Sequence, residues 1–390
     1  QGGSRRGAQM IMLADWHPDI LEFIISKVQN PRILRYLIEN SADEQIKSLA
    51  QENLKFTGFS ASELEMYETI AQHDKSPGHG GFSDNVIRNA KQKVRDGGTY
   101  AVQNPEFLTG ANISVTLTDD FMDAVERDEM WTLRFPDTEN YTEEEMADYN
   151  EKWADVGDVR EWEAMGYAIR TYRQIPAREL WNLINICATY SAEPGIFFID
   201  NANQDTNAQA YGQKVVATNP CGEQPLAPYS VCNLAAVNLA EMADIETNSV
   251  DYEKLTETVK TGVRMQDNVI DATPYFLEEN ESQALGERRI GLGVMGLADL
   301  LIYTKKRYGS AEGNEIVDKV FETIAVAAYE ESIELAKEKG SFPFLIGETD
   351  QETMVLRERF INTGYMSRMP EHIRQGVLDH GIRNSHLLTV

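Results

Sequence analysis

Cysteine is scarce: the 390 residues carry three, Cys187, Cys221 and Cys232. Three thiols do not make a secreted disulfide framework, and none is spaced with a histidine or another cysteine as a zinc site requires. Long apolar runs are missing as well. No stretch approaches the roughly 18 apolar residues that span a bilayer, and no charged-then-apolar leader opens the chain, so the expected compartment is the cytoplasm. Positive charge is in deficit, with 36 Lys and Arg against 63 Asp and Glu and a net charge of −27. Broad nucleic-acid binding needs basic surface and is not expected. A polyphosphate ligand would need local cations or backbone N–H groups working against the global field. What is present, 42% hydrophobic and 25% charged residues, is the composition of a soluble globular protein. The length suits one large α/β domain or two ordinary ones.

Two of the three thiols share one stretch, Thr218-Asn219-Pro220-Cys221-Gly222-Glu223-Gln224-Pro225-Leu226, followed by Ser230-Val231-Cys232-Asn233-Leu234. Pro220, Gly222, Pro225 and Pro228 exclude a helix and predict a tight, extended loop. If the segment is extended, Asn219, Cys221 and Glu223 share a face. Cys221 is then a candidate nucleophile or radical carrier, Glu223 a candidate general base, and Asn219 a hydrogen-bonding neighbour. A lone cysteine among turn residues is more often structural packing; the added carboxamide, carboxylate and second thiol favour chemistry.

The same residues carry a family resemblance. Asn219 to Leu226 with Cys232-Asn233-Leu234 resembles the active-site finger loop of the large catalytic chain of ribonucleotide reductases. The Pro-Cys-Gly-Glu form and the short step between the cysteines look most like the adenosylcobalamin-dependent class II enzymes. Other segments are similar to the family too. Gln1 to Met10, with Arg5, Arg6, Gly7 and Ala8, resembles the specificity loop between substrate and allosteric nucleotide. Ala111-Asn112-Ile113-Ser114-Val115 resembles a barrel strand, with Asn112 and Ser114 as possible cavity lining. Gly286 to Leu301 resembles a barrel strand and its helix; its GLGVMG lacks the strand and downstream acid of a dinucleotide site. Ile382 to Val390 resembles the stretch ahead of a phosphate-binding loop.

The resemblance implies a fold: an α/β, ten-stranded barrel of the ribonucleotide reductase and glycyl radical enzyme type, interrupted by a helical insertion. The implied domains are 1–28 (specificity loop and first helix), 29–105 (insertion) and 106–390 (barrel segment with finger loop 218–234). It implies roles as well. Cys221 would carry a thiyl radical, Glu223 would take the 3′-hydroxyl proton, and Asn219 would bind the ribose hydroxyls. Cys232 would be one of two reducing thiols, and Arg5, Arg6, Gly7, Ala8, Pro220 and Gly222 would line the substrate. The implied cofactor is adenosylcobalamin, with no metal ligated by the chain. The implied partners are a ribonucleotide, a deoxynucleotide or ATP effector, a thioredoxin- or glutaredoxin-type reductant and a second copy of the chain. The partner of Cys232 has no counterpart here, nor do the phosphate loop and C-terminal cysteine pair, so the chain is expected to be the middle of a longer reductase. Two other readings stay open: a class I large chain served by a separate radical-generating subunit, and a non-catalytic nucleotide-binding or assembly module.

Elsewhere, local pattern predicts helices near 31–39, 43–54, 61–73, 83–96, 252–272 and 312–339. Cys187 falls inside a helix running to about Ser191 and reads as core. Ile196 to Asp200 reads as a buried parallel strand, and 136–163 as a solvated acidic arm.

Overall fold

The computed structural model describes residues 8–72, 82–105, 107–108 and 110–389. Arg5, Arg6 and Gly7 of the expected specificity loop, and His73, His79 and the loop between them, lie outside these residues. The chain divides into two compact units, Gln1–Phe198 and Ile199–Val390. Both mix helices with short strands, some paired parallel and some antiparallel. Among the described residues no helix is long and apolar enough to cross a membrane.

The first unit is built on a parallel sheet in which β1 (Gln9–Ala14) and β7 (Gly195–Phe198) flank β4 (Ala111–Leu117). Gln9 stands opposite Ala111 and Ser114 opposite Gly195. Helix Ile20–Ser26 buries Ile20, Leu21, Ile24 and Ile25, the spacing of a single helical face. These side chains join Val115, Leu117, Phe121, Leu180 and Ile184 in one core. Cys187 sits in that core on helix Ala177–Ser191, fully buried, and burial pushes its thiol up to about 12.

Three expectations need correcting here. β7 is parallel but not buried: as a sheet edge it leaves Ile196 and Phe198 exposed, and the chain turns helical at Ile199. The insertion contains helices Pro31–Asn40, Glu44–Glu52, Ala61–Ala71 and Asp84–Asp96, but also an antiparallel pair, β2 (Leu54–Gly58) with β3 (Gly98–Val102). The acidic segment is no solvated arm. It is held between β5 (Met130–Pro136) and β6 (Ile169–Pro176), an antiparallel pair, by an aromatic cluster. Trp153 stacks on Tyr149 at 5.7 Å, meets Trp16, Phe135 and Trp162 edge-on, and Trp162 stacks on Tyr167 at 4.2 Å. Tyr149 and Trp153 lie one helical turn apart on Glu143–Val156, so the acids face water while the rings face inward.

In the second unit the finger is a short hairpin, β8 (Ala217–Thr218) against β9 (Pro225–Leu226). Beyond it β10 (Asn233–Asn238) runs parallel to β13 (Ile290–Met295), and Leu388 of the tail bridges to Leu292 on the other side. The small hairpin β11 (Ala243–Asp244) and β12 (Ser249–Val250) leads into helix Tyr252–Ala272. Leu255, Val259 and Val263 of that helix pack with Val320, Ile324 and Leu335 of helix Ala311–Lys339. After β13, Gly296 turns the chain at φ +72° into helix Leu297–Tyr303.

Candidate active site

The finger reverses direction between Asn219 and Gly222. The Gly222 amide donates to the Asn219 carbonyl at 3.0 Å, with Pro220 and Cys221 as the central turn residues and Gly222 at φ +87°. Proline is pre-set for the first central position, and glycine alone accepts the left-handed backbone without strain. The Asn219 side chain then staples the turn: its Oδ1 accepts the Gln224 amide at 2.9 Å. The extended arrangement considered from sequence is therefore replaced by a turn. Cys221 stands exposed at its tip, and a Cβ placed on Gly222 would meet nothing within 4 Å.

Past the turn the chain goes inward. Glu223 Oε2 is buried without a hydrogen-bond partner, as is the Nε2 of Gln224, a residue only 4% exposed. Buried polar atoms are rarely left so, and each calls for a partner such as water or a bound molecule. Cys232, just ahead of β10, is partly buried and its Sγ donates weakly to the Asn233 carbonyl at 3.6 Å. Burial pushes this thiol up to about 12; nearby Arg289 acts to lower it, while Glu287 and Glu223 act to raise it. The Glu223 carboxylate is thus within electrostatic reach of the Cys232 sulfur. What lets the finger lie against β13 is Gly291. A Cβ there would stand 3.0 Å from Cys232 Sγ, 2.9 Å from Gln224 Nε2 and 2.6 Å from a Leu234 methyl. Gln266 locks the seam, donating to the carbonyls of Asn233 at 2.9 Å and Gly291 at 3.2 Å.

Comparison with known proteins decides what this loop belongs to. The whole chain, residues 1–390, matches the family model described as ribonucleotide reductase, barrel domain. The chain belongs to the ribonucleotide reductase family. It is similar to the vitamin B12-dependent ribonucleoside-diphosphate reductase of Thermoplasma acidophilum, 31% identical over 79% of this chain and 39% of the relative. The enzyme of the same description from Mycobacterium tuberculosis is 35% identical over 63% of this chain and 31% of the relative. The ribonucleoside-diphosphate reductase large chain of Cryptosporidium parvum is 29% identical over 69% of this chain and 33% of the relative. The chain thus spans about a third of the length of the curated relatives it matches.

Within this chain the structure places Glu223 and Cys232 in one neighbourhood and puts Cys221, Pro220 and Gly222 at the turn beside it. Ala8 is exposed just before β1. Among the described residues no group of three or more His, Cys, Asp or Glu is placed to hold a metal ion. Local pattern missed the residues behind the finger. Glu287 and Arg289, 0% and 3% exposed, form an ion pair at 3.4 Å. Arg289 Nη1 donates to the Pro225 carbonyl at 3.1 Å, and Ser230 donates its hydroxyl to Glu287. No periodicity announces such a pair. Its one sequence signal is the placement of charges next to the apolar run that becomes β13.

Beyond Arg289 lies His386, whose ring reaches Ser385 Oγ at 2.9 Å, Thr206 Oγ1 at 3.3 Å and Arg289 Nη2 at 3.5 Å. Burial, then the Arg289 charge, holds its pKa well below the ordinary 6.5. The unfolded chain takes up this proton near pH 6.5 while the native chain does not. The contribution to stability is therefore complete above that pH and lost as pH falls, by at most about 1.4 kcal/mol per pH unit. Urea midpoints measured from pH 7 down to pH 5 should fall more steeply for the wild type than for His386→Gln. Parallel curves would show that His386 is protonated in the native chain.

Proposed function

We propose that this chain is the catalytic core of an adenosylcobalamin-dependent ribonucleotide reductase, forming 2′-deoxyribonucleotides from ribonucleoside di- or triphosphates for DNA synthesis. In this reading 1–28 holds the specificity loop, 29–105 is an insertion, and 106–390 contributes to a ten-stranded barrel around the finger. What supports it is the finger itself. A family-specific loop presents an exposed thiol at a rigid tip, with a partnerless buried carboxylate and a second thiol behind it. The exposure of Cys221 at the tip of the turn leaves its sulfur open to a cofactor. Adenosylcobalamin, when bound, would supply the radical chemistry by which the Cys221 thiol becomes a sulfur radical.

The chain's own residues carry the rest. The Cys221 sulfur radical removes the ribose 3′ hydrogen, becoming a thiol again. Glu223 accepts the 3′-hydroxyl proton, a role its unpartnered Oε2 supports, and Asn219 orients the sugar with its carboxamide N–H groups. Electron density released at C3′ then helps the 2′-hydroxyl leave as water. Two electrons and two protons must come from a pair of thiols that ends as a disulfide. Cys232 is one of them. Cys187 is sealed in the other unit's core, so the second thiol comes from outside residues 1–390. Cys221 returns its hydrogen to C3′ and the radical is regenerated. A thioredoxin- or glutaredoxin-type protein would reduce the disulfide, a deoxynucleotide or ATP would set substrate choice, and the enzyme would work as a homodimer in the cytoplasm.

The test is product formation by the full-length enzyme containing this chain, supplied with ribonucleoside di- and triphosphates and a dithiol. Deoxynucleotide should appear only when adenosylcobalamin is added, with two thiols oxidised per product. Formation without it, dependent on a separate radical-generating subunit, would replace the cobalamin reading. No product under either condition would remove the catalytic one.

A further inference from the structure

The return limb of the finger, from the turn to Cys232, is held by Thr389 at the Glu223 carbonyl and by Asn280 at the Tyr229 carbonyl, and two further fastenings, five residues apart, go to one ion pair. Pro225 gives its carbonyl to Arg289 at 3.1 Å. Ser230 gives its hydroxyl hydrogen to Glu287. Both charged residues are almost completely buried, Glu287 at the end of helix Glu278–Glu287 and Arg289 immediately before β13. Such a pair is a costly way to hold a loop. Removing two charges from water consumes most of what their attraction returns, and hydrophobic side chains of similar volume often hold a structure as well or better. Charges do one thing that hydrocarbon does not: they act on a neighbouring atom whose own charge changes. That atom is present: the clamped limb ends at Cys232, whose Sγ packs against Gly291, two residues past Arg289, with Arg289 acting to lower its pKa and Glu287 and Glu223 acting to raise it.

We propose that Arg289 and Glu287 are positioning residues for Cys232, clamping the return limb at Pro225 and Ser230 and balancing the charge the sulfur meets when it reacts. The inference rests on Cys232 being a reducing thiol. The two members pull in opposite directions. Arg289 favours a negatively charged sulfur, whereas Glu287, together with Glu223 from the finger, keeps the thiol protonated. His386, on the far side of Arg289, is neutral and adds no charge. The Gln224 amide, packed on Gly291 beside the sulfur, is a dipole with an unused N–H and no net charge. A proton taken by Glu223 removes one of the two negative neighbours and so makes Cys232 more acidic just as its reaction is due.

The test reads thiol chemistry and needs no nucleotide. Alkylation of each cysteine by iodoacetamide, a neutral reagent, is followed by mass spectrometry in the full-length protein as a function of pH, with exposed Cys221 as the internal reference. Arg289→Gln should slow Cys232 at pH 9 by about tenfold and Glu287→Gln should quicken it by about tenfold, the change that one pKa unit produces. Arg289→Lys should return the rate to within about threefold of wild type, and Cys221 should not change. A purely structural role predicts something else: a loosened limb exposes the sulfur, so both glutamine variants would accelerate. That outcome, or rates within twofold of wild type in both, would overturn the proposal. Should Arg289→Gln not fold, Arg289→Lys and Glu287→Gln still decide it, because equal acceleration in the two means loosening alone. Failure here would leave the reductase reading standing, and absence of deoxynucleotide would leave the measured coupling standing.

Discussion

Under the proposed reductase function, substituting serine for Cys221 in the full-length enzyme is expected to abolish deoxynucleotide formation, by at least about 10⁴-fold, the scale on which loss of a covalent-catalysis residue registers, while leaving the fold intact. The two halves of this result have separate causes. The sulfur stands exposed at the third position of a turn whose hydrogen bonds come from the Gly222 amide, the Asn219 side chain and the Gln224 backbone. None uses the thiol, and an exposed side chain without such ties changes stability by less than about 0.5 kcal/mol. The hydroxyl of serine fills nearly the same space and makes the same kind of polar contact, but its O–H bond is too strong to give up a hydrogen atom where a thiol does. Substrate affinity, read by equilibrium dialysis, should therefore hold within about threefold while turnover vanishes. Retention of even a hundredth of the activity by Cys221→Ser would mean that the radical is carried elsewhere, and the assignment of Glu223 and Asn219 would fall with it.

What the sequence made legible follows the range of the interactions involved. The finger was readable because its determinants are local. Pro220 and Gly222 write the turn into four consecutive residues, and Asn219 closes it onto Gln224 five positions away. Even so, treating the segment as extended misplaced Cys221 relative to Glu223, since one reversal between them cancels the every-second-residue rule. Helices with their own caps were legible for the same reason: Asp43 caps Glu44–Glu52 and Ser310 caps Ala311–Lys339. The pairing of β2 with β3 was not. Leu54 meets Val102 across an intervening pair of helices, and neither strand is apolar enough to declare itself. The acidic segment misled for a different reason. Its charge is real, but its structure is set by Tyr149, Trp153, Trp162 and Tyr167, few in number and large in buried area. The support behind Cys232 was least visible of all. Ser230 and Glu287 are brought together over 57 residues, Pro225 and Arg289 over 64, and composition carries no trace of either contact.

Replacing Asp267 by asparagine should cost about 3–5 kcal/mol of stability, the range for removing one partner of a buried ion pair. Asp267 is fully buried on helix Tyr252–Ala272. Its Oδ1 accepts two bonds from the Arg288 guanidinium, at 2.9 and 2.8 Å, and one from Asn384 Nδ2 at 3.2 Å. Its Oδ2 lies 3.4 Å from both Lys339 Nζ and Arg383 Nε. One carboxylate thus joins that helix to the segment entering β13, to the end of helix Ala311–Lys339 and to the tail. Asparagine keeps the shape but removes the charge, leaving Arg288, itself 3% exposed, with the half-exposed Asp271 at 2.7 Å as its remaining ion-pair partner among the described residues. The loss should appear as a lower urea midpoint at unchanged slope. It should reach the finger too: Arg288 immediately precedes Arg289 and lies three residues before Gly291, so a shift there loosens the backbone on which Cys232 and Gln224 pack. Adding Arg288→Met to Asp267→Asn provides the control, because it removes the stranded cation and should restore a substantial part of the loss. A single variant costing less than 1 kcal/mol, or a double variant as unstable as the sum of its parts, would show that packing around residue 267, rather than its charge, holds these elements together.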